Sequence, residues 1–186
     1  MTMPLEQLQE QIRDAAARKV QLEIRGQGSK SFYGHTPVGE PLDLSGLTGI
    51  SSYEPSELVV TAKAGTPIVE LEQLLATQGQ HLAFEPPRFG GGGTVGGMVA
   101  AGLSGPARAS AGSLRDHVLG LTMINGKAEA MSFGGTVMKN VAGYDVSRLM
   151  AGSLGVLGVI AEVSLKVLPF PTAEATLRFE LGQQQA

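Results

Sequence analysis

Between Pro86 and Gly120 the chain reads PPRFGGGGTVGGMVAAGLSGPARASAGSLRDHVLG, and this stretch constrains the fold more than any other. A flexible linker of such length would be polar throughout. Here Val95, Met98, Val99, Ala100, Ala101 and Leu103 make the segment apolar enough to be buried. Glycine loses more conformational freedom on folding than any other residue, so buried glycine needs a reason. Close approach of a flat or charged ligand to the main chain is the reason this pattern favours, with tight packing alone as the alternative. The sequence does not choose between a short helix and coil for TVGGMVAAGLSG.

Two further segments repeat the theme. Residues 24–34 read IRGQGSKSFYG, in which Gly26 and Gly28 can take positive φ, Ser29 and Ser31 offer hydroxyls, and Lys30 or Arg25 offers positive charge. Inward-turned backbone N–H groups of such a loop suit a diphosphate. A plain turn between strands is the competing reading of this loop alone. It is not the dinucleotide G-x-G-x-x-G, because position 31 is serine, and it is not a phosphate-binding Walker loop, because no Gly-Lys-Ser/Thr follows at the required spacing. Asp43 lies near the spacing a nicotinamide fold would need, but without the glycine fingerprint that reading fails. The third segment, MKNVAGYDVSRLMAGSLGVLGVIAEVSLKV, carries glycines at 152, 155 and 158 before a strand, while Tyr144, Asp145 and Arg148 read as a fold-stabilising polar cluster.

Around these segments the periodicities define ordinary elements. Leu5, Leu8, Ile12 and Ala15 or Ala16 recur at helical spacing over residues 4 to about 18, with Pro4 in the first turn. Val20, Leu22 and Ile24 alternate as a half-buried strand, followed by a short strand at Leu42–Leu44 and a buried one at Leu58–Ala62, with Ile50 and Tyr53 in the connection. This first part resembles a small β–α–β layer. Thr66 and Pro67 mark a helix start, the threonine hydroxyl as cap, with Ile68, Leu71, Leu74 and Leu75 as its apolar stripe. A short strand is expected at Leu82–Phe84. Val118–Ile124 and AEAMSF form strands joined by a two-residue turn at Asn125–Gly126. SRLM reads as a helical turn, and Val159, Ala161, Val163, Leu165 and Val167 alternate as a long strand.

Composition excludes several classes. The net charge of −3 without a basic cluster gives no footprint for nucleic acid, and with no cysteine the chain forms no disulfide, thiolate metal site or iron–sulfur cluster of its own. No metal site is expected. The apolar runs stop short of spanning length and the N-terminal residues lack a signal-peptide pattern, so a cytoplasmic location is the default expectation. His35, His81 and His117 form no spaced cluster, and no catalytic residue is assigned.

Taken in order, the RGQGSKSFYG loop, the GGGGTVGGMVAAGLSG stretch, SLRDHVLGL and KNVAGYDVSRLMAGSLGVLGVIAEVSLKV resemble the FAD-binding domain of the vanillyl-alcohol oxidase and p-cresol methylhydroxylase flavoprotein superfamily. Within it the likeness is greatest to FAD-binding subunits of bacterial glycolate oxidases, over about residues 20–171. The resemblance implies an α+β, two-lobed FAD-binding domain of the p-cresol methylhydroxylase type, with lobe one at about 1–62, an antiparallel lobe two at about 63–175, and a short tail. Gly26, Gln27, Gly28, Ser29 and Lys30 would form the pyrophosphate loop. Pro87, Gly96, Gly97, Ala101, Gly102, Ser113 and Asp116 would line the path toward the flavin, and the Ile160 backbone would meet the adenine end.

Family members that attach FAD through this loop carry histidine where this chain has Lys30, and cysteine is absent, so the resemblance implies non-covalent FAD. Family oxidases continue into a cap domain over the flavin, whereas this chain stops soon after Glu180, so the cap is expected to be absent. The function implied is electron transfer through FAD from a small 2-hydroxy acid, glycolate, together with other flavin and iron–sulfur oxidase subunits that could hold the chain at the inner membrane. A non-catalytic assembly or regulatory module that keeps the fold is the alternative.

Overall fold

The computed structural model describes residues 3–90, 92–135, 143–178, 180 and 182. Part of the KNVAG motif and most of the GQQQA tail lie outside the described residues. In chain order the elements are α1 (Leu5–Arg18), β1 (Leu22–Arg25), β2 (Glu40–Asp43), β3 (Ile50–Glu54), β4 (Val59–Lys63), α2 (Ile68–Thr77), β5 (Gln80–His81), α3 (Val95–Ala101), α4 (Arg108–Ala111), β6 (Val118–Ile124), β7 (Ala130–Gly134), α5 (Val146–Met150), β8 (Val159–Lys166) and β9 (Leu168–Pro169). This is the α+β architecture expected.

The sheet that organises the molecule runs β3-β4-β8-β6-β7, every neighbour antiparallel. Its central strand β8 is buried along both faces, which is why Ile160 and Ser164 are buried as well as the alternating Val159, Ala161, Val163 and Leu165. Ser164 meets its need for a partner through the Thr61 hydroxyl at 2.8 Å. α3 packs on β8 and β4, and α5 packs on β6 and β7.

β1 and β2 form a separate parallel pair. Parallel strands cannot be joined by a tight hairpin, so the chain must make a long crossover between them. That crossover, residues 26–39, has no helix of its own, and α1 precedes β1 instead of connecting the strands. The β–α–β reading is therefore corrected to helix, strand, loop, strand. Ile50 and Tyr53 belong to strand β3, which pairs with β4, and the β4–β8 pairing spans the expected lobe boundary near residue 62.

Other local expectations change for identifiable reasons. The Thr66 hydroxyl does not cap α2, because it exchanges hydrogen bonds with Gly49, accepting from its N–H and donating to its C=O, both at 3.0 Å. Pro67, with extended ψ, occupies the cap position. The short strand falls at Gln80–His81, where it pairs with β9, and not at Leu82–Phe84. The hairpin turn is longer than two residues: Ile124 pairs with Ala130, and the Asn125 Oδ1 accepts from the N–H groups of Lys127 and Glu129. This side-chain-closed turn places the left-handed φ of 62° on Ala128 instead of on the Asn–Gly pair.

The stripe on α2 narrows to Ile68, Leu71 and Leu75, and Leu74 is only half-buried. Leu71 is fully buried, so Leu71→Ala should cost about 2–5 kcal/mol. Leu74→Ala should cost clearly less, and urea unfolding of the two variants checks the difference.

Candidate cofactor site

A cleft of about 450 Å³ opens where the β1–β2 crossover faces α3 and the segment leading into β8. That volume falls in the range of roughly 300–1,000 Å³ usual for ligand sites. Its walls are β1, loop residues 26–31 and 33–38, Ala64, Thr94, the small residues of α3, residues 154–156, Gly158 and Ile160.

The crossover loop is built around Gly26. A Cβ at Gly26 would lie 2.4 Å from Thr94 Oγ1 and 2.8 Å from Thr94 Cγ2, so only glycine fits there. Its φ is not positive; Gly28, at φ +69°, is the residue that turns the loop. The turn closes through the Ser31 N–H to the Gly28 carbonyl at 3.2 Å and the Tyr33 N–H to the Lys30 carbonyl at 2.9 Å. Among the described residues, the backbone N–H groups of Gln27, Gly28, Ser29 and Lys30 find no acceptor within the protein.

Two contacts tie this loop to the long glycine stretch. The Gln27 Oε1 accepts the Gly93 N–H at 2.7 Å, and the rings of Phe32 and Phe89 meet edge to face at 4.8 Å. Lys30 is half-buried beside Gly93, its Nζ 3.7 Å from where a Gly93 Cβ would stand. Desolvation holds its ammonium below the usual lysine pKa.

TVGGMVAAGLSG resolves as helix α3, seven residues long and N-capped by Thr94, whose Oγ1 accepts the Gly97 N–H at 3.2 Å. The amides at its start are already bonded: Val95 N–H to Thr66 C=O at 2.9 Å, Gly96 N–H to Ala64 C=O at 2.8 Å and Met98 N–H to Thr94 C=O at 2.8 Å. α3 therefore supplies a flat floor. Gly96 is required because a Cβ there would come within 2.6 Å of Ala64 Cβ. The third glycine segment joins this floor through the Gly152 N–H to Val99 C=O at 3.0 Å and the Leu154 N–H to Ala100 C=O at 2.9 Å.

Of the residues singled out from sequence, Gly26, Gln27, Gly28, Ser29, Lys30, Gly96, Gly97, Ala101 and Ile160 line one cleft. Pro87, Gly102, Ser113 and Asp116 do not. Gly102 ends α3 at φ +65° and abuts Gly152, where a Cβ would meet the Gly152 Cα at 2.9 Å. Ser113 and Asp116 form a reciprocal cap, the Asp116 Oδ2 accepting from the Ser113 hydroxyl at 2.7 Å and N–H at 3.0 Å, which holds the Asp116 carboxyl below its usual pKa. Pro87 is half-buried in the extended segment before the glycines. The Asp145–Arg148 pair stabilises α5 locally, as expected, while Tyr144 is exposed.

His117 is buried with Nε2 3.1 Å from the Ala111 carbonyl, His81 stacks on Phe170, and His35 stands at the cleft. Among the described residues no cluster of three metal-ligating side chains occurs, and no helix is long and apolar enough to cross a membrane. Thr94 is the contact the sequence reading missed, although a threonine before an apolar helical run is a cap signal. The rim residues Val38 and Val156 carried no local signal.

A crossover loop with unpaired amides, a half-buried ammonium and a glycine–alanine floor have the chemistry to fit a nucleotide cofactor carrying a diphosphate. The comparisons agree: residues 4–134 match the family model described as an FAD binding domain, and the chain belongs to that family. It is 51% identical over 179 residues to the glycolate oxidase subunit GlcE of Escherichia coli (strain K12), covering 96% of this chain and 51% of that protein. It is 30% identical to the glycolate oxidase subunit GlcD of Bacillus subtilis (strain 168), covering 86% of this chain and 34% of that one. It is 31% identical to a mitochondrial D-lactate dehydrogenase (cytochrome) of Arabidopsis thaliana, covering 77% and 25%. The chain thus spans about half the length of the first of these relatives and less of the others. The fold is shared with an alkyldihydroxyacetonephosphate synthase structure at a TM-score of 0.72 and 23% identity, over 90% of this chain and 31% of that one. FAD is the cofactor of this family, and the cleft's donor set fits its pyrophosphate.

Gly26→Ala should push Thr94 out of its capping position, lowering the melting temperature and weakening FAD binding, as read by differential scanning fluorimetry and flavin titration. The depressed Asp116 pKa means that its cap stabilises the fold above the ordinary aspartate range and that this contribution fades as pH falls through the folded value. Ser113→Ala should therefore destabilise the protein near neutrality, with the difference from wild type vanishing at strongly acidic pH, checked by thermal melts against pH.

Proposed function

We propose that this chain is the FAD-binding part of a 2-hydroxy-acid oxidase of the glycolate oxidase type, holding FAD non-covalently. The observation that carries the reading is the row of unpaired amides from Gln27 to Lys30 over the cleft. The relative GlcE is a subunit of glycolate oxidase by name, which supports assembly with further subunits; in the proposed assembly those subunits carry flavin and iron–sulfur groups. Glycolate is the proposed substrate, and contact with such subunits is the route by which the chain would lie near the inner membrane.

FAD, when bound, supplies a two-electron acceptor for oxidation of the hydroxy acid to the oxo acid. This chain's residues bind and orient it. Gly28 and its neighbours present amides to the pyrophosphate, and Lys30 adds positive charge. Gly26 against Thr94 sets how closely the loop approaches the α3 floor, and Gly96 seats that floor on Ala64. Pro87, Gly102, Ser113 and Asp116 act through the fold around the flavin end in this reading.

The purified protein should be yellow or take up FAD with at least micromolar affinity, and acid precipitation should release the flavin into the supernatant. A colourless protein that cannot be loaded would sink the proposal. Glycolate turnover by the assembled oxidase should fall when this chain is stripped of flavin; equal turnover would favour a purely structural role.

A further inference from the structure

We infer that Lys30 is the proton-linked counter-charge of the cofactor's pyrophosphate, so that FAD binding takes up a proton at alkaline pH. This rests on the FAD-binding reading.

Lys30 is half-buried, borders the cleft and has no carboxylate partner among the described residues. An ammonium taken partly out of water without a counter-charge is unfavourable until an anion arrives. The four amides beside it, from Gln27 to Lys30, lack acceptors too, so one anion in the cleft answers both needs.

The surrounding charges do not supply that anion. On the same strand and loop stand Glu23, Arg25, Tyr33 and His35, and Arg25 exerts its charge on Asp43. Gly92, Gly93 and Thr94 carry no titratable group, nor do α3 or residues 154–160. α2 presents Ile68 to Gly93, and one turn further along it Glu72 is paired with Arg88.

The linkage has a definite sign. The free protein's Lys30 loses its proton more readily than an ordinary lysine because of desolvation. A bound pyrophosphate favours the charged form and raises that pKa. Between the two values binding takes up a proton, and affinity falls as pH rises, by up to about tenfold per pH unit. Below the free-protein value affinity is independent of this group.

The test is FAD affinity from flavin fluorescence between pH 6 and pH 10.5, with calorimetry in buffers of different ionisation enthalpy. Wild type should hold constant affinity at the acid end, weaken toward the alkaline end and show proton uptake there. Lys30→Arg, which stays charged, should bind with a flat profile and no proton uptake. Lys30→Met should bind about 10- to 100-fold more weakly at pH 7 and lose the pH dependence. Circular dichroism and thermal melting establish that both variants are folded. ADP, which carries the pyrophosphate without the flavin, should follow the same pattern, and riboflavin should not.

Unchanged affinity and pH profile in folded Lys30→Met, or the same dependence with riboflavin, overturns the inference while leaving FAD binding intact. If no variant, wild type included, binds FAD at any pH, the FAD reading falls and this inference falls with it.

Discussion

The site depends on the approach of Gly26 to Thr94. With no room for a Cβ at Gly26, the crossover loop lies directly on the residue that caps α3, and Gln27 reaches past it to bond the Gly93 N–H. One short contact thus fixes the height of the loop above the floor, the start of the floor helix and the path of the glycine stretch before it. A methyl group at Gly26 would separate all three. The positive φ at Gly28 then matters only because the loop is already seated, turning the four amides that lack partners.

The parallel pairing of β1 and β2 explains why a loop is there at all. Antiparallel strands can be joined by two residues, whereas this pair requires a long return. In many folds a helix makes that return and satisfies its own backbone. Here residues 26–39 do so without a helix, leaving main-chain donors to be satisfied from outside. The same choice explains the density of glycine and the ties at Gln27–Gly93 and Phe32–Phe89 that hold an otherwise irregular segment in place.

Much of this was legible in the sequence where local pattern and tertiary context agree. The α1 and α2 stripes, β4, β6 and the long alternation of β8 follow from apolar periodicity, whereas Gly26, Gly96 and Gly102, read as room for a ligand, make room for Thr94, Ala64 and Gly152. What was not legible depended on partners distant in sequence. Thr66 satisfies Gly49 instead of its own helix, Asn125 closes its turn through its side chain, and Ile50–Glu54 becomes a strand because β4 offers an edge. Ser113 and Asp116 have the residue types of a binding pair, but their hydrogen bonds are spent on each other. Thr94 is a different case, since its cap signal was present but overshadowed by the glycines around it.

The rim of the cleft shows why main-chain donors and apolar side chains occur together. Val38 and Val156 are 75% and 84% exposed, and Tyr33 and Leu154 are also open to solvent, yet all four border the cleft. Exposed apolar groups gathered around one concavity mark a surface that a ligand covers. A dinucleotide cofactor has a charged centre between two flat aromatic ends, and the two kinds of lining answer those two parts. Amides and the Lys30 ammonium can compensate the charge, and the rim can bury ring surface that would otherwise face water. Because this lining comes from the crossover loop, α3 and the segment leading into β8, a cofactor held there would bridge parts of the chain far apart in sequence. A ligand that binds only the folded state stabilises it in proportion to the logarithm of its concentration over its dissociation constant. The open loop between β1 and β2 is therefore a weakness of the free fold that a cofactor bound in the cleft would offset.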